Sequence, residues 1–529
     1  MNEERHQAYL TLIQSLLTCP SDEEETAILQ ANLELLDDEF AQYLREWATE
    51  TLPNLDADKA ENCAKILYGL NLTFSNLQQG SRFRNIEIAI ACLDIGLTIF
   101  TRAAYPEDWA IFQNSLAIKY DDRIKGDRGE NIERAIACYE AALQIRTRDA
   151  FPQDWVDTQN NLATAYSYRI KGDRGDNLEK AIAFYEATLQ VDTRQAFPKK
   201  WAMTQHSLAT AYSHRIRGDK GENLETAIAG YELALSVYTP EAFPEDWART
   251  QNHLATAYSH RIREDRRENL EAAIAAYQLA LSVYTPKAFP EQWARTQNQL
   301  GVAYDKRIRG DRGENLETAI KFYELALSVH TRKDFPEQWA DTQNNLAVAY
   351  FYRITGDRGD NLERGIKCYE AALQVYTREA FPEDWARIQH NLANAYNDRR
   401  RGDRGKNIER AIELYQAALE VRTPTTLPLN CLNTSRNLGN LGFAESLWET
   451  AIFGYEKAIE AVEQSREWIT SDNRKREILE QNLDVYEKMM ISCIIHQQYD
   501  KALQTIERSK SRYLIELFTN SEIYPKTAT

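Results

Sequence analysis

One tryptophan recurs in this chain at a constant spacing of 46 residues, without a single insertion or deletion. The seven positions are Trp109, Trp155, Trp201, Trp247, Trp293, Trp339 and Trp385. Around each of them runs nearly the same text, which residues 151–196 represent well. Self-similarity at a period of about 20–50 residues is typical of repeat arrays, in which similar units stack on their neighbours. The spacing therefore excludes a mosaic of unrelated domains.

Each repeat is predicted to contain two amphipathic helices. The apolar stripe of the first helix consists of Trp155, Leu162, Tyr166 and Ile170. The stripe of the second helix consists of Leu178, Ala181, Ile182, Tyr185 and Leu189. Both sets lie on one face of a 3.6-residue helix. Pro152 is expected in the first turn of the first helix, and Asn177 is expected to cap the second.

The connections and small residues complete this prediction. Gly172 and Gly175 are expected to supply the left-handed backbone that ends the first helix. Ala163 and Ala181 are expected where neighbouring helices approach closely. Two-residue alternation, the pattern of a β-strand, is not sustained anywhere. The predicted fold class is all-α, an α-α superhelix of stacked antiparallel helix pairs, because a single pair leaves its apolar stripe uncovered.

Length and charge exclude several classes of protein. A chain of 529 residues exceeds a single ordinary core, and its net charge of −17 disfavours a nucleic-acid partner. No segment approaches the roughly 18 apolar residues of a membrane span, and the N-terminus resembles no secretion signal. Seven scattered cysteines predict reduced thiols and a cytoplasmic protein. We predict neither a membrane nor a nucleic-acid partner.

The repeat text resembles the tetratricopeptide repeat. Its Leu-Ala-x-x-Tyr and Ala-x-x-x-Tyr-x-x-Ala patterns are matched by Leu116, Ala117 and Tyr120, followed by Ala135, Tyr139 and Ala142. The distance from the leucine to the first alanine is longer than in the usual repeat. The chain therefore resembles a long variant of this repeat. The text NNLA in its first helices resembles the kinesin-light-chain-like branch of the family. This resemblance implies a solenoid that binds proteins or peptides along its first helices.

The C-terminal region resembles the segment that precedes the protease domain in bacterial CHAT proteins. The text that carries this resemblance lies between Ala461 and Phe518 and contains VEQSREWI, NLDVYEKMM and IERSKSRYLIELF. The His and Cys pair of a CHAT protease is expected after this point, so the chain is either a fragment or a member without the protease. An attached or separate CHAT-type domain is accordingly a candidate partner. The predicted domains are an acidic cap at 1–80, the array at 81–430 and a C-terminal region at 431–529.

The sequence gives little sign of catalysis. His206, His253 and His390 fall at or next to an asparagine position of the repeat and are interpreted as variants of a structural position. His214 and His260 lack carboxylates or thiols at metal-ligand spacing. Cys493 and His496 are interpreted as a structural thiol and an exposed imidazole. We predict a protein that is not an enzyme and has no cofactor or metal.

A binding groove along the first helices is the leading functional hypothesis. The candidate asparagines, two residues before each core leucine, are Asn114, Asn160, Asn252, Asn298 and Asn344. The candidate selecting positions, which vary between repeats, are Tyr168, His214, His260, Lys306 and Tyr352. An alternative is that the asparagines join adjacent helices. The arginine that follows each selecting position, such as Arg169, is expected to complement the negative end of its helix or to pair with Asp173. A regulatory region of a peptidase and a self-assembling architectural solenoid remain the rival functions.

Overall fold

The computed structural model describes residues 3–77, 79–467, 477–478 and 480–520. In these residues it contains 23 α-helices and two short 3₁₀ helices, Leu33–Leu35 and Leu52–Asn54, and no β-strand. The chain divides into two compact units, Met1–Asn269 and Leu270–Thr529. Within each unit, consecutive antiparallel helices pack as pairs, which confirms the predicted all-α class of stacked helix pairs.

The helices of unit 1 are α1 Glu3–Thr18, α2 Asp22–Ala31, α3 Phe40–Thr51, α4 Ala57–Asn76, α5 Arg82–Ile99, α6 Pro106–Asp122, α7 Arg128–Leu143, α8 Pro152–Ser167, α9 Arg174–Leu189, α10 Pro198–Ser213, α11 Lys220–Leu235 and α12 Pro244–His260. The boundary between the units falls inside α13 Arg266–Leu281. From α6 onward, even-numbered helices are the first helices of the repeats and odd-numbered helices the second.

The helices of unit 2 are α14 Pro290–Asp305, α15 Arg312–Leu327, α16 Pro336–Tyr352, α17 Arg358–Ala372, α18 Pro382–Asp398, α19 Arg404–Leu419, α20 Pro428–Ala444, α21 Trp448–Glu467, α22 Leu483–Ile495 and α23 Tyr499–Asn520. The first helices α14, α16, α18 and α20 each begin at a proline.

Proline and aspartate fix where the two helices of a repeat begin. Pro152 opens α8, as predicted, because its missing N–H costs nothing in a first turn. The predicted cap of the second helix is wrong. Asp173 caps α9 by accepting the N–H of Asp176 at 2.8 Å. The helix therefore begins at Arg174, four residues earlier than a cap at Asn177 implies. The Asn177 amide instead donates to the carbonyl of Lys171 at 2.9 Å and ties down the loop.

Two further expectations for this loop need correction. Only Gly172 has a left-handed backbone, with φ of 81°, whereas Gly175 lies in the first turn of α9. Ile170 was expected in the apolar stripe, but α8 ends at Ser167 and the Ile170 side chain is 64% exposed. A stripe drawn by periodicity alone runs past the true helix end, which the Gly172 turn determines.

The core of the repeats consists of alanines that face aromatic rings. In unit 1, Ala163, Ala181, Leu162 and Tyr185 are buried in one cluster. In unit 2, Gly301 occupies the register of Ala163, and a Cβ built there would lie 2.7 Å from the ring of Tyr323. Close approach therefore restricts these positions to small residues, because packed helices have no room for extra methylenes.

The repeat tryptophans lie at the margin of this core. Trp247 is buried, and the other six are half-buried. The first helices thus place the tryptophan near their N-terminus and the exposed loop at their C-terminus. This direction of the first helices determines which of their residues lie next to the exposed loop.

The N-terminal helices of unit 1 share a separate apolar cluster. Tyr9, Phe40, Leu67 and Phe74 are fully or almost fully buried there, together with residues of α5 such as Cys92. The Tyr9 hydroxyl lies 2.6 Å from the Asp37 carboxylate, which satisfies its polar end. The first five helices therefore share one apolar core in unit 1.

Candidate functional site

An arginine at the end of each first helix binds a glutamate of the preceding repeat. Arg169 makes two parallel hydrogen bonds to Glu133, with Nε to Oε1 and Nη2 to Oε2 both 2.7 Å. The same arrangement joins Arg215 to Glu179. The other pairs are Arg123–Glu87 and Arg261–Glu225 in unit 1, and Arg307–Glu271, Arg353–Glu317 and Arg399–Glu363 in unit 2. Two parallel bonds fix the guanidinium plane as well as its position.

This arrangement corrects the expectation for the arginine. Arg169 was expected to complement its own helix end or to pair with Asp173, but its partner is Glu133, and Asp173 is used as a helix cap. The guanidinium of Arg169 also lies over the ring of Tyr166, 5.4 Å from its centroid. A glutamate recurs with the same period, always 36 residues before the arginine, and this regular distance in the sequence could have identified the pair.

The candidate asparagines belong largely to the interior. Asn160 is 5% exposed; its amide donates to Thr204 on α10 at 2.9 Å, and its carbonyl oxygen accepts from Thr188 on α9 at 3.0 Å. One side chain thus connects three helices, as the structural alternative anticipated. Asn252 and Asn344 are buried as well. Asn114 and Asn298 are half-buried, and the Asn298 carbonyl oxygen accepts from Asn345 at 3.2 Å.

The candidate selecting residues all lie at the surface. Tyr168 and Tyr352 are 62% and 58% exposed, and the side chains of His214, His260 and Lys306 are exposed too. Each is the last residue of its first helix or the residue that caps it. A helix end that leads into a loop leaves its side chain in solvent, next to an arginine that is held in place. The variable residue and the fixed residue are therefore neighbours in space as in sequence.

Two histidines replace asparagine in the middle of unit 1. The Nδ1 of His206 lies 2.9 Å from the hydroxyl of Thr250, in the register where Asn160 meets Thr204. The rings of His206 and His253 stack with centroids 4.9 Å apart. Burial holds the pKa of His206 well below 6.5, and the nearby His253 adds to this effect. The structural interpretation of His206 agrees with this hydrogen bond.

In the described part of the chain, no three His, Cys, Asp or Glu side chains converge as a metal-ligand set. Every helix in that part is too short or too polar for a bilayer span. Trp468 and Ile469, which contribute to the CHAT resemblance, lie outside the described residues.

A cavity of about 800 Å³ lies in unit 2, in a region where no site was expected from the sequence. Its walls include Leu429, Leu432 and Arg436 at the start of α20. Arg436 stands in the register of the asparagines, 46 residues after His390, and its guanidinium binds the carbonyl oxygen of the Asn482 side chain. The repeat period would have located this arginine, had the array been followed past residue 430.

No family model and no curated protein sequence matches the chain. Among solved structures, it is similar to the apo form of RapI, with 12% identity and a TM-score of 0.45 over 81% of this chain and 98% of that one. A Rap conjugation gene regulator of plasmid pLS20 in complex with the Phr* peptide has 14% identity and a TM-score of 0.37, over 72% and 96% of the two chains. Yeast Tom70 has 13% identity and a TM-score of 0.38, over 94% and 92%. At these scores the likenesses carry no argument about what the chain binds.

Proposed function

We propose that the first helices of the array bind a segment of another protein and that the chain acts as a scaffold without chemistry of its own. One observation supports this most directly. The exposed residue at the end of the first helices varies among the repeats, whereas the arginine beside it always binds a glutamate of the preceding repeat. In unit 1 the changing residues are Tyr168, His214 and His260, and in unit 2 they are Lys306 and Tyr352.

A fixed frame with variable side chains suits selective binding. The bidentate arginine pairs limit how far one repeat can shift against the next, so the positions of the exposed side chains are set in advance. A surface that is already ordered loses less entropy on binding than a mobile one. Tyrosine and histidine each offer a flat apolar face with a polar group at its edge, which fits peptide side chains of mixed character.

The asparagines have two different roles in this proposal. Asn160, Asn252 and Asn344 are buried and position the first helices. Asn114 and Asn298 are half-buried and are the ones assigned to contact the main chain of a bound peptide. A carboxamide both donates and accepts, so it can bind a peptide backbone without reading its sequence.

The proposed binding surface belongs to the array at 81–430. The acidic region at 1–80 is proposed as a cap, and the region at 431–529 as the C-terminal end. This division makes the array responsible for selectivity and leaves the ends for stability and solubility.

Selection of displayed peptides on the full chain tests this proposal. A library of random peptides is selected on the wild type, and enriched peptides are then measured for binding to a Tyr168→Ala, His214→Ala, His260→Ala variant. We expect enrichment and at least a tenfold loss of affinity in the variant. The matched control is Thr226→Ala with Leu233→Ala, two exposed positions on the second helix α11. No enrichment, or an equal loss in both variants, contradicts the proposal.

A further inference from the structure

In unit 1, from α6 onward, every loop between the two helices of one repeat exposes an isoleucine. Ile124, Ile170, Ile216 and Ile262 are 62%, 64%, 64% and 61% exposed. Single exposed apolar residues are normal on any protein, whereas this set recurs at the same position of each such loop. The same register gives Ile308 and Ile354 in unit 2, which are 51% and 65% exposed.

The four isoleucines of unit 1 lie along one edge. Each comes two or three residues after the end of a first helix, α6, α8, α10 or α12. The first helices lie side by side, since Asn160 on α8 binds Thr204 on α10 and His206 on α10 binds Thr250 on α12. Their C-terminal ends therefore follow one another at the same side of the unit. We call this row of Ile124, Ile170, Ile216 and Ile262 the isoleucine edge.

Packing inside the chain uses only a small part of these side chains. The Cβ of Ile170 lies 3.9 Å from where a Cβ on Gly129, in the first turn of α7, would be. More than half of each side chain nevertheless faces solvent, where a polar residue would cost less. The residue two positions earlier is an aspartate, a tyrosine or a histidine, so this loop tolerates change next to an isoleucine that stays.

Ion pairs of both signs border the isoleucine edge. Lys171 pairs with Glu130 in the first turn of α7, and Arg217 pairs with Asp176 in the first turn of α9. All four side chains are at least half exposed. A partner of uniform charge would meet repulsion at every second group along such an edge, whereas a second edge of the same kind can place acids opposite bases.

We propose that the isoleucine edge binds the isoleucine edge of a second copy of this chain. The repeats contain no insertion from Trp109 to Trp385, so the isoleucines recur at a constant interval, and a second copy has that interval by identity. Such contact between like surfaces is the common form of a two-fold dimer. The proposal involves other residues than the peptide-binding surface, so either one can fail while the other holds.

The expected dimer is weak. A stable interface buries about 800 Å² on each partner, and four isoleucine side chains supply less than that. We expect association in the range of about 10–100 μM, with rapid exchange between monomer and dimer. The dimer is therefore invisible at low concentration and measurable at high concentration.

Sedimentation velocity of the full chain, from about 1 μM to about 500 μM, tests the proposal. We expect the wild type to shift from monomer to dimer, and Ile170→Lys with Ile216→Lys to weaken association at least tenfold. Leu233→Lys, at a residue of α11 that is 43% exposed, is the matched control and should dimerise as the wild type does.

Thermal unfolding of each variant separates this role from a structural one. If the role of the isoleucines were purely structural, the double variant would have a lower unfolding midpoint than the wild type. Its mass in solution would then equal that of the wild type at every concentration. A wild type that stays monomeric throughout the range overturns the proposal. A dimer that Leu233→Lys disrupts and the double variant keeps overturns it too, because the contact would then involve the second helices.

Discussion

The guanidinium of Arg169 binds the carboxylate of Glu133 through two hydrogen bonds of 2.7 Å, across the boundary between two repeats. Each side chain is 24% exposed, so water screens the pair less than it screens an ordinary surface ion pair. Glu133 belongs to the second helix α7, and Arg169 follows the first helix α8. The pair therefore sets how consecutive repeats meet.

Removing this arginine should destabilise unit 1. Arg169→Met leaves the Glu133 carboxylate half-buried without its partner, and we expect the free energy of unfolding to fall by about 1–2 kcal/mol. Urea unfolding followed by circular dichroism measures the loss. Lys171→Met is the control, since its pair with Glu130 is well exposed and screened by water, and its removal should lower the free energy of unfolding much less. Equal losses in the two variants would show that the bidentate geometry adds nothing.

Acid should weaken the same pairs. The hydrogen bonds from Arg169, Arg215 and Arg261 hold the pKa values of Glu133, Glu179 and Glu225 below their ordinary value of 4.5. The unfolded chain then binds more protons than the folded chain as the pH falls, so this stability is complete above about pH 4.5 and is lost through the lowered pKa values.

Unfolding midpoints measured between about pH 3 and pH 7 test this dependence. A variant with Arg169, Arg215 and Arg261 all changed to Met should lose less stability between about pH 4.5 and pH 3 than the wild type does. If the unfolding midpoints of the wild type and of this variant fall equally with pH, other carboxylates determine how acid destabilises the protein.

A larger side chain should lower the free energy of unfolding at one alanine of α11 and change it little at a nearby alanine. Ala227 on α11 is fully buried, so Ala227→Leu should lower the free energy of unfolding by about 1–3 kcal/mol. Ala229 lies on the same helix and is exposed, and Ala229→Leu should change stability by less than about 0.5 kcal/mol. Thermal unfolding compares the two. Similar midpoints would contradict the assignment of Ala227 to the helix contact.

Buried His206 should make unit 1 sensitive to mild acid. Its pKa is held well below 6.5 by burial, by His253 and by Arg249. The unfolded chain takes up a proton at this residue below about pH 6.5 and the folded chain does not, so stability falls as the pH falls below that value. His206→Asn keeps the bond to Thr250 that Asn160 makes to Thr204 and should remove this part of the dependence.

The decisive measurement for His206 is the unfolding midpoint at pH 7.0 and pH 5.5, two values on either side of the ordinary histidine pKa of about 6.5. From pH 7.0 to pH 5.5, the unfolding midpoint of the wild type should fall further than that of the His206→Asn variant. His260→Asn, at an exposed position, is the control and should behave as the wild type does. A variant that responds to pH as strongly as the wild type would contradict the prediction.

The sequence by itself determined the helix pairs and much of their core. The prolines at the start of the first helices, the buried tyrosines and the small residues all follow from local rules, because helix propensity and apolar periodicity act over a few neighbouring residues. Pro152, Ala163 and Tyr185 lie where these rules place them.

Only the tertiary structure decided which polar groups meet. Arg169 and Glu133 are 36 residues apart in the chain, and Asn160 and Thr204 are 44 apart, so no local pattern reveals either pair. Ile170 continues the apolar period of α8, but the turn at Gly172 takes it out to solvent. Local periodicity decides where a helix forms, whereas the contacts between helices decide where each long side chain finds its partner and which apolar residues stay exposed.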